Sequence, residues 1–187
     1  MPTVLLHACC APCASVCIER LRADDLAVTL FFSNANIGDG DEYARRLEAV
    51  QRLAEALAAP LLVDDTARHD DWLAAVRGLE SAREGGARCR PCFAFSLNRT
   101  AARATALGFD RFTTSLTVSP HKHTPTLFEL GAVADPVRFL PVDFKRRHGF
   151  QRSVELARQL NLYRQDFCGC EFSRAALAQR ATTPAPT

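Results

Sequence analysis

The sequence of 187 residues has no long apolar segment, no strong net charge and no glycine-rich phosphate-binding loop. Its first residues, MPTVLLHACC, carry no basic leader, and His7 interrupts the short apolar run. We therefore expect neither a signal peptide nor a membrane span, and a cytoplasmic location. A net charge of +2 is too small to indicate nucleic-acid binding by itself, although it does not exclude it.

A chain of this length can bury an apolar core without covalent cross-links. The hydrophobic share of 48% and the charged share of 24% are those of an ordinary soluble globular protein. Stability therefore does not explain the eight cysteines. In a reducing compartment, clustered cysteines are more often metal-binding or catalytic than part of a disulfide framework.

Strands and helices alternate along the first third of the sequence. Apolar runs predict strands over residues 3–8, 26–33 and 60–65, and helical spacing predicts helices over 14–23 and 43–59. Further strands are predicted within 109–118 and over 137–144. The pattern predicts a single α/β domain over residues 1–180, with a mostly parallel, Rossmann-like or HUP-like sheet flanked by helices. Residues 181–187 are predicted to be a disordered tail.

The turns after the first two predicted strands carry polar and thiol side chains. Cys9, Cys10 and Cys13 follow the first strand, and Asn34 and Asn36 follow the second. Ligands bind outside the carboxyl ends of parallel strands. We therefore expect a metal site at the strand C-terminal ends.

The cysteines fall into three groups: Cys9, Cys10, Cys13 and Cys17; Cys89 and Cys92; and Cys168 and Cys170. Taken alone, the Cys89 and Cys92 pair would indicate a structural zinc site as well as any other role. Adjacent cysteines suit a mononuclear site poorly because neighbouring side chains diverge, whereas a cluster of several irons offers separate binding points. A four-iron cluster takes four thiolates, which Cys9, Cys10, Cys89 and Cys92 would supply.

Cys13, Cys168 and Cys170 then remain as a second thiol group, able to hold another metal or to cycle as a dithiol. Gly169 gives the turn between Cys168 and Cys170 its conformational freedom. A strained disulfide there would be easily reduced. Cys17, four residues after Cys13 on the same helical face, is predicted to be a small buried hydrophobe.

Five segments together resemble one known family. They are LLHACCAPC, FFSNANI followed by EYARRL, EGGARCRPC, FTTSLTVSPHK and LYRQDFCGCEFS. In this order, and over about residues 3–175, they resemble the cobalamin-independent epoxyqueuosine reductases, the QueH family. NAN stands where the family often has NPN.

The resemblance implies reduction of the epoxide of epoxyqueuosine to queuosine, with loss of the oxygen as water. The substrate would be the wobble nucleotide of tRNAs with GUN anticodons, those for aspartate, asparagine, histidine and tyrosine. It implies a 4Fe-4S cluster on Cys9, Cys10, Cys89 and Cys92, and no cobalamin. Cys168 and Cys170 would be a redox-active pair or, with Cys13, ligands of a second, mononuclear iron or other metal. Some members carry aspartate in place of Cys13, and both side chains ligate iron.

Further expectations concern the substrate and the electron donor. Candidate substrate contacts are Asn34, Asn36, Tyr163, Arg164 and Lys122, and candidate phosphate contacts are Lys122, Lys145, Arg146 and Arg147. Tyr163 and Arg164 would stack on or clamp an anticodon nucleotide. His7 is expected to be buried and hydrogen-bonded, with proton delivery as the alternative. The electron donor is expected to be a protein such as a ferredoxin or a flavodoxin, and no membrane partner is expected.

Two other functions remain open at this point. A zinc-stabilised nucleotide-binding module would share the alternating strands, but no GxxxxGK or GxGxxG follows the first strand. A thiol-disulfide oxidoreductase would use CAPC at residues 10–13, where a helix N-terminus lowers a thiol pKa. That function leaves the other six cysteines without a role.

Overall fold

The computed structural model describes residues 1–182, which form one four-stranded parallel sheet in the order β3-β2-β1-β4. The strands are β1 (Thr3–His7), β2 (Ala27–Phe32), β3 (Leu61–Val63) and β4 (Arg111–Thr114). The sheet is parallel throughout because each strand is followed by a helical crossover before the next one. The predicted α/β architecture is confirmed.

Within the same residues, seven α-helices cover the sheet. They are α1 (Ala11–Ala23), α2 (Gly40–Ala56), α3 (His69–Ala75), α4 (Cys89–Ala106), α5 (Thr124–Ala134), α6 (Gly149–Gln159) and α7 (Glu171–Thr182), and a 3-10 turn follows β4 at Ser115–Val118. Local signals begin two of the helices. Pro12 lies in the first turn of α1, and the Asp39 side chain accepts hydrogen bonds from two backbone N–H groups of α2.

Two apolar layers hold the helices on the sheet. Along β1, Val4 and Leu6 pack with apolar side chains of α1, α2 and α6, whereas Leu5 packs on the opposite face with those of α4 and α5. Each such side chain contributes roughly 1.5–3 kcal/mol when fully buried. Because both faces are covered, β1 is a continuous apolar run rather than an alternating one.

The predicted strand over 137–144 is wrong. Phe139 forms only an isolated bridge with Phe112. The carbonyl of Leu140 is taken by the Thr113 hydroxyl at 2.8 Å and by the Val142 N–H at 3.0 Å, and Pro141 has no N–H to continue a ladder.

The ends of several helices also differ from the expectation. Helix α4 begins at Cys89, so that both of its cysteines lie in the first turn, and α5 occupies a segment for which no element is predicted. Helix α7 continues through Thr182, and residues 183–187 of the predicted tail lie outside the described residues. None of the described helices is long and apolar enough to cross a membrane.

An ion pair ties the end of β3 to α4. Arg99 donates to both carboxylate oxygens of Asp64, at 2.6 and 2.7 Å, and Ser33 donates to the same carboxylate at 2.7 Å. Burial alone would raise the pKa of Asp64, but the hydrogen bonds from Arg99, Ser33 and Thr66 outweigh it and hold that pKa well below its usual range.

Because of this ion pair, we expect the fold to lose stability at acid pH. A carboxyl whose pKa is lowered by folding stabilises the fold above the unfolded pKa of about 3.9, and the stabilisation is lost as the pH falls below that value. In urea unfolding of the metal-free, reduced protein, Asp64→Asn should cost about 1–3 kcal/mol at pH 7 and clearly less at pH 3. The neighbouring, exposed Asp65→Asn is the control and should change the free energy by less than about 0.5 kcal/mol. An equal cost of Asp64→Asn at both pH values would contradict the prediction.

Candidate active site

The carboxyl ends of β1 and β2 open into a cavity of about 710 Å³. Its wall includes five thiol-bearing side chains, which are Cys9, Cys10, Cys13, Cys92 and Cys168. The cavity lies where ligands bind in parallel α/β sheets. Three segments far apart in sequence meet there: the turn between β1 and α1, the first turn of α4, and the turn before α7.

The turn between β1 and α1 gathers three thiols. Cys10 is the N-cap of α1 in extended conformation, and Cys13 lies one helical turn later. Helical side chains lean toward the N-terminus, so Cys13 leans back over Cys10. The sulfurs of Cys9, Cys10 and Cys13 all lie within 4.8 Å of one another, close enough to hold a metal ion.

The pKa values of these three thiols are shifted in different directions. Hydrogen bonds from the Cys13 and Cys9 thiols hold the pKa of Cys10 well below its usual range. The same interaction with Cys10 raises the pKa of Cys9 to about 12, and it raises that of Cys13 as well. Cys10 is therefore the first thiolate of the group, at the helix N-terminus where negative charge is stabilised.

The first turn of α4 brings in the second cysteine pair. Cys89 accepts a hydrogen bond from the Gly85 N–H at 3.2 Å, and the preceding loop is held by buried Arg88, which donates to the Leu79, Glu80 and Ala82 carbonyls. Burial raises the pKa of Cys92 to about 12, and the nearby Cys168, Cys89 and Cys170 thiols add to this shift.

The turn at Cys168 and Cys170 is held by a buried arginine. Gly169 has φ +118°, and a Cβ there would approach the Arg46 guanidinium to 3.0 Å. Arg46 donates to the Cys168 carbonyl at 3.2 Å and pairs with buried Glu42 at 2.6 Å. The backbone of the turn is therefore fixed from α2.

Lys122 turns inward onto Cys168. Its Nζ donates to the Cys168 sulfur at 3.0 Å and to Glu84 Oε1 at 3.2 Å, and the side chain is only 7% exposed. Ser173 donates to Glu84 Oε2 at 2.7 Å and accepts from the Cys168 N–H at 3.4 Å. Burial alone would lower the pKa of Lys122, but the Cys168 thiolate and the Glu84 carboxylate outweigh it and raise that pKa. The four residues form a closed ring of hydrogen bonds.

Comparison with known proteins identifies the family of this site. The family model for epoxyqueuosine reductase QueH matches residues 4–176. The chain belongs to the epoxyqueuosine reductase QueH family. All three cysteine-bearing segments of the cavity lie within the matched range.

Individual relatives agree with the family match. The chain is 39% identical over 182 residues to "Epoxyqueuosine reductase QueH" of Streptococcus pyogenes serotype M1, covering 92% of this chain and 70% of that protein. It is 34% identical over 183 residues to the protein of the same name from Staphylococcus aureus, covering 92% and 75%. The same name belongs to a relative from Thermotoga maritima, 34% identical over 178 residues and covering 92% and 91%.

The cysteines of this QueH-family chain are all free thiols in the structure. Cys13 lies with Cys9 and Cys10, whereas Cys170 packs with Trp72 and Cys92 behind the cavity wall. Cys17 is fully buried in the core, as predicted, and donates to the Cys13 carbonyl at 3.2 Å.

The other predicted site residues divide between the cavity and its surroundings. Asn34, Asn36, Lys122 and Arg164 line the cavity. The Asn34 amide donates to the Ala8 carbonyl at 3.0 Å, and the Arg164 guanidinium lies over the Phe150 ring. Tyr163 does not line the cavity and donates to Glu42 at 2.8 Å.

None of the basic residues at 145–147 lines the cavity. Lys145 donates to the Lys122 carbonyl at 2.6 Å, while Arg146 and Arg147 are exposed. Lys145 therefore supports the backbone of the residue that contacts Cys168.

His7 is buried and hydrogen-bonded, as expected. Its Nδ1 lies 3.0 Å from the Thr114 hydroxyl, and its Nε2 lies 3.2 Å from the Ser33 carbonyl. Burial lowers the pKa of His7 to about 4, so the imidazole is neutral at neutral pH. With Nε2–H donating to the carbonyl, Nδ1 accepts from Thr114, and the ring links β1, β2 and β4.

Sequence reasoning missed four polar residues of the site. Glu84 and Ser173 complete the ring around Lys122, Ser115 contacts Cys9, and Gln165 lines the cavity. Each is a common polar residue without a distinctive spacing. Only their approach to a sulfur, or to Lys122, identifies them.

Proposed function

We propose that this chain reduces epoxyqueuosine to queuosine in tRNA. The reaction takes up two electrons and two protons, breaks both carbon–oxygen bonds of the epoxide, forms a carbon–carbon double bond and releases water. The observation that carries the proposal is a thiol-lined cavity of about 710 Å³ at the strand ends of a QueH-family chain. Its volume is in the range of small-molecule sites and is sufficient for one modified nucleoside.

The donor set suits an iron-sulfur cluster. Thiolates are the protein ligands of such clusters. The close group of Cys9, Cys10 and Cys13 contains no histidine or carboxylate, and Cys92 and Cys168 line the same cavity. We assign Cys9, Cys10, Cys89 and Cys92 as ligands of a 4Fe-4S cluster. When bound, the cluster supplies electrons one at a time.

The remaining thiols define the reacting end of the cavity. Cys13, Cys168 and Cys170 are proposed as ligands of a second, mononuclear iron or other metal, or Cys168 and Cys170 as a redox-active pair; no cobalamin is needed. Lys122 and Glu84 hold Cys168 in place through the hydrogen bonds described above. A cation at this position also favours the negative charge that develops on a departing oxygen.

The cavity wall fits an unstacked RNA base. It carries the cations Arg83 and Arg164 beside the aromatic rings of Phe150 and Phe167. Bases under chemical attack are taken out of the stack and held between planar side chains, while cations contact phosphates. This supports an RNA nucleotide as the substrate, and we propose the wobble nucleotide of tRNAs with GUN anticodons. As the electron source we propose a soluble cytoplasmic donor such as a ferredoxin or a flavodoxin.

Anaerobic reconstitution tests the proposal. The protein is purified without oxygen, analysed for iron, sulfide and zinc, reduced with dithionite, and incubated with tRNA containing epoxyqueuosine. We expect a brown protein with about four irons or more per chain and queuosine in the nucleoside digest by mass spectrometry. An intact cluster without queuosine formation would reject the function.

One observation favours a second candidate. The compact group of Cys9, Cys10 and Cys13 is also able to hold a single zinc ion. A colourless protein with one tightly bound zinc and no iron would favour the zinc-stabilised module instead.

A further inference from the structure

Two of the thiols assigned to the cluster accept a direct hydrogen bond. The Ser115 hydroxyl donates to the Cys9 sulfur at 3.2 Å, and the Gly85 N–H donates to the Cys89 sulfur at 3.2 Å. The Ser115 oxygen also accepts the Cys9 N–H at 3.1 Å, which fixes the hydroxyl beside the sulfur.

The donor near Cys92 is the indole of Trp72. This side chain is 1% exposed, and its buried Nε1–H has no hydrogen-bond partner. A buried N–H without a partner is rare and calls for an explanation. Trp72 packs in the same apolar cluster as Cys92, so its unpaired N–H is available to a cluster held by that thiol.

We propose that these three donors set the reduction potential of the cluster. The proposal rests on the proposed function, since it requires the 4Fe-4S cluster. Reduction adds negative charge that is partly carried by the ligand sulfurs, and hydrogen bonds to those sulfurs stabilise the reduced form more than the oxidised form. These hydrogen-bond donors therefore raise the reduction potential of the cluster. A soluble electron donor of low potential is then able to reduce the cluster although it is buried.

The test measures the midpoint potential of the loaded protein without tRNA. Ser115→Ala and Trp72→Phe each remove one donor, and phenylalanine keeps an aromatic ring against His69, on which Trp72 stacks. Ser15→Ala is the matched control, because Ser15 is equally buried but donates to the Pro12 carbonyl at 2.8 Å. Spectroelectrochemical titration follows the cluster absorbance, with iron and sulfide per chain determined for every variant.

We expect Ser115→Ala and Trp72→Phe to disfavour reduction by about tenfold each, which is a shift of about 59 mV to more negative potential for one electron. Ser15→Ala should match the parent. Parent-like potentials in both donor variants, at full iron and sulfide, would overturn the inference and leave the proposed function intact. A parent protein that holds no iron and sulfide would overturn both. If Trp72→Phe does not load, Ser115→Ala decides alone.

Discussion

Cys89→Ala is expected to abolish queuosine formation, with a loss of at least about a thousandfold, or about 4 kcal/mol in the activation barrier. Cys89 is one of four thiols assigned to the cluster; its sulfur accepts the Gly85 N–H at 3.2 Å, and the residue is 9% exposed. Cys17 cannot take its place, because it is enclosed in the core under α1. Loss of one ligand therefore exposes an iron to water and to oxidation.

Cys17→Ala is the matched control for this prediction. Cys17 is 0% exposed and donates to the Cys13 carbonyl, so its removal leaves a small cavity and costs about 1 kcal/mol of stability. Iron, sulfide and turnover should remain near the parent values. Iron and sulfide analysis and single-turnover formation of queuosine are measured on both variants. A Cys89→Ala protein with parent-like iron and activity would remove Cys89 from the ligand set and favour the oxidoreductase that uses CAPC.

The sequence was sufficient to predict the sheet and the position of the cysteine turn. The run from Thr3 to His7 is apolar without alternation, and it is followed at once by Cys9 and Cys10, so a buried strand and a turn at its carboxyl end were both predictable. The apolar pattern over residues 137–144 did not exclude the strand that we predicted there and that the structure lacks. The Leu140 carbonyl accepts a hydrogen bond from a side chain, the Thr113 hydroxyl, and such a competitor is visible only in the folded chain.

Which sulfurs lie close together depends on where the helices begin, and the sequence predicts those positions only to within a few residues. The sequence predicts a helix from about residue 93, whereas α4 begins at Cys89, so the Cys89 and Cys92 side chains share one helical face. With α1 beginning at Ala11, Cys13 falls back toward Cys10. Boundary errors of this size change which sulfurs meet, although they hardly change the fold.

Lys122 shows most clearly what the sequence could not provide. It is one of the chain's two lysines and lies in the polar loop SPHKHTP, which favours a phosphate contact. The structure instead buries its side chain and directs the ammonium group between a sulfur and a carboxylate. The partners Glu84 and Cys168 are 38 and 46 residues away in sequence, so no local spacing marks the ring.

Lys122→Met should reduce kcat/KM by about 100-fold to 1,000-fold, which corresponds to about 2.7–4 kcal/mol. Methionine fills a similar volume but leaves the exposed Glu84 carboxylate and the partly buried Cys168 sulfur without the ammonium group that lies between them. Lys122→Arg keeps the charge and should recover part of the loss, although a planar guanidinium does not reproduce the contacts of an ammonium. The comparison variant is Arg103→Met, an exposed cation in the last turn of α4, at the opposite end of that helix from Cys89.

The measurement is single-turnover queuosine formation at saturating and at limiting tRNA, with iron and sulfide determined for each variant. A lysine that only contacts RNA phosphate would weaken binding and leave the rate at saturation unchanged, whereas the ring around Cys168 acts on the step after binding. We therefore expect the loss in Lys122→Met to persist at saturating tRNA with the cluster retained, and Arg103→Met to match the parent at both concentrations. A loss confined to limiting tRNA would indicate that Lys122 contacts RNA phosphate. The reaction would then not require a cation beside the Cys168 sulfur.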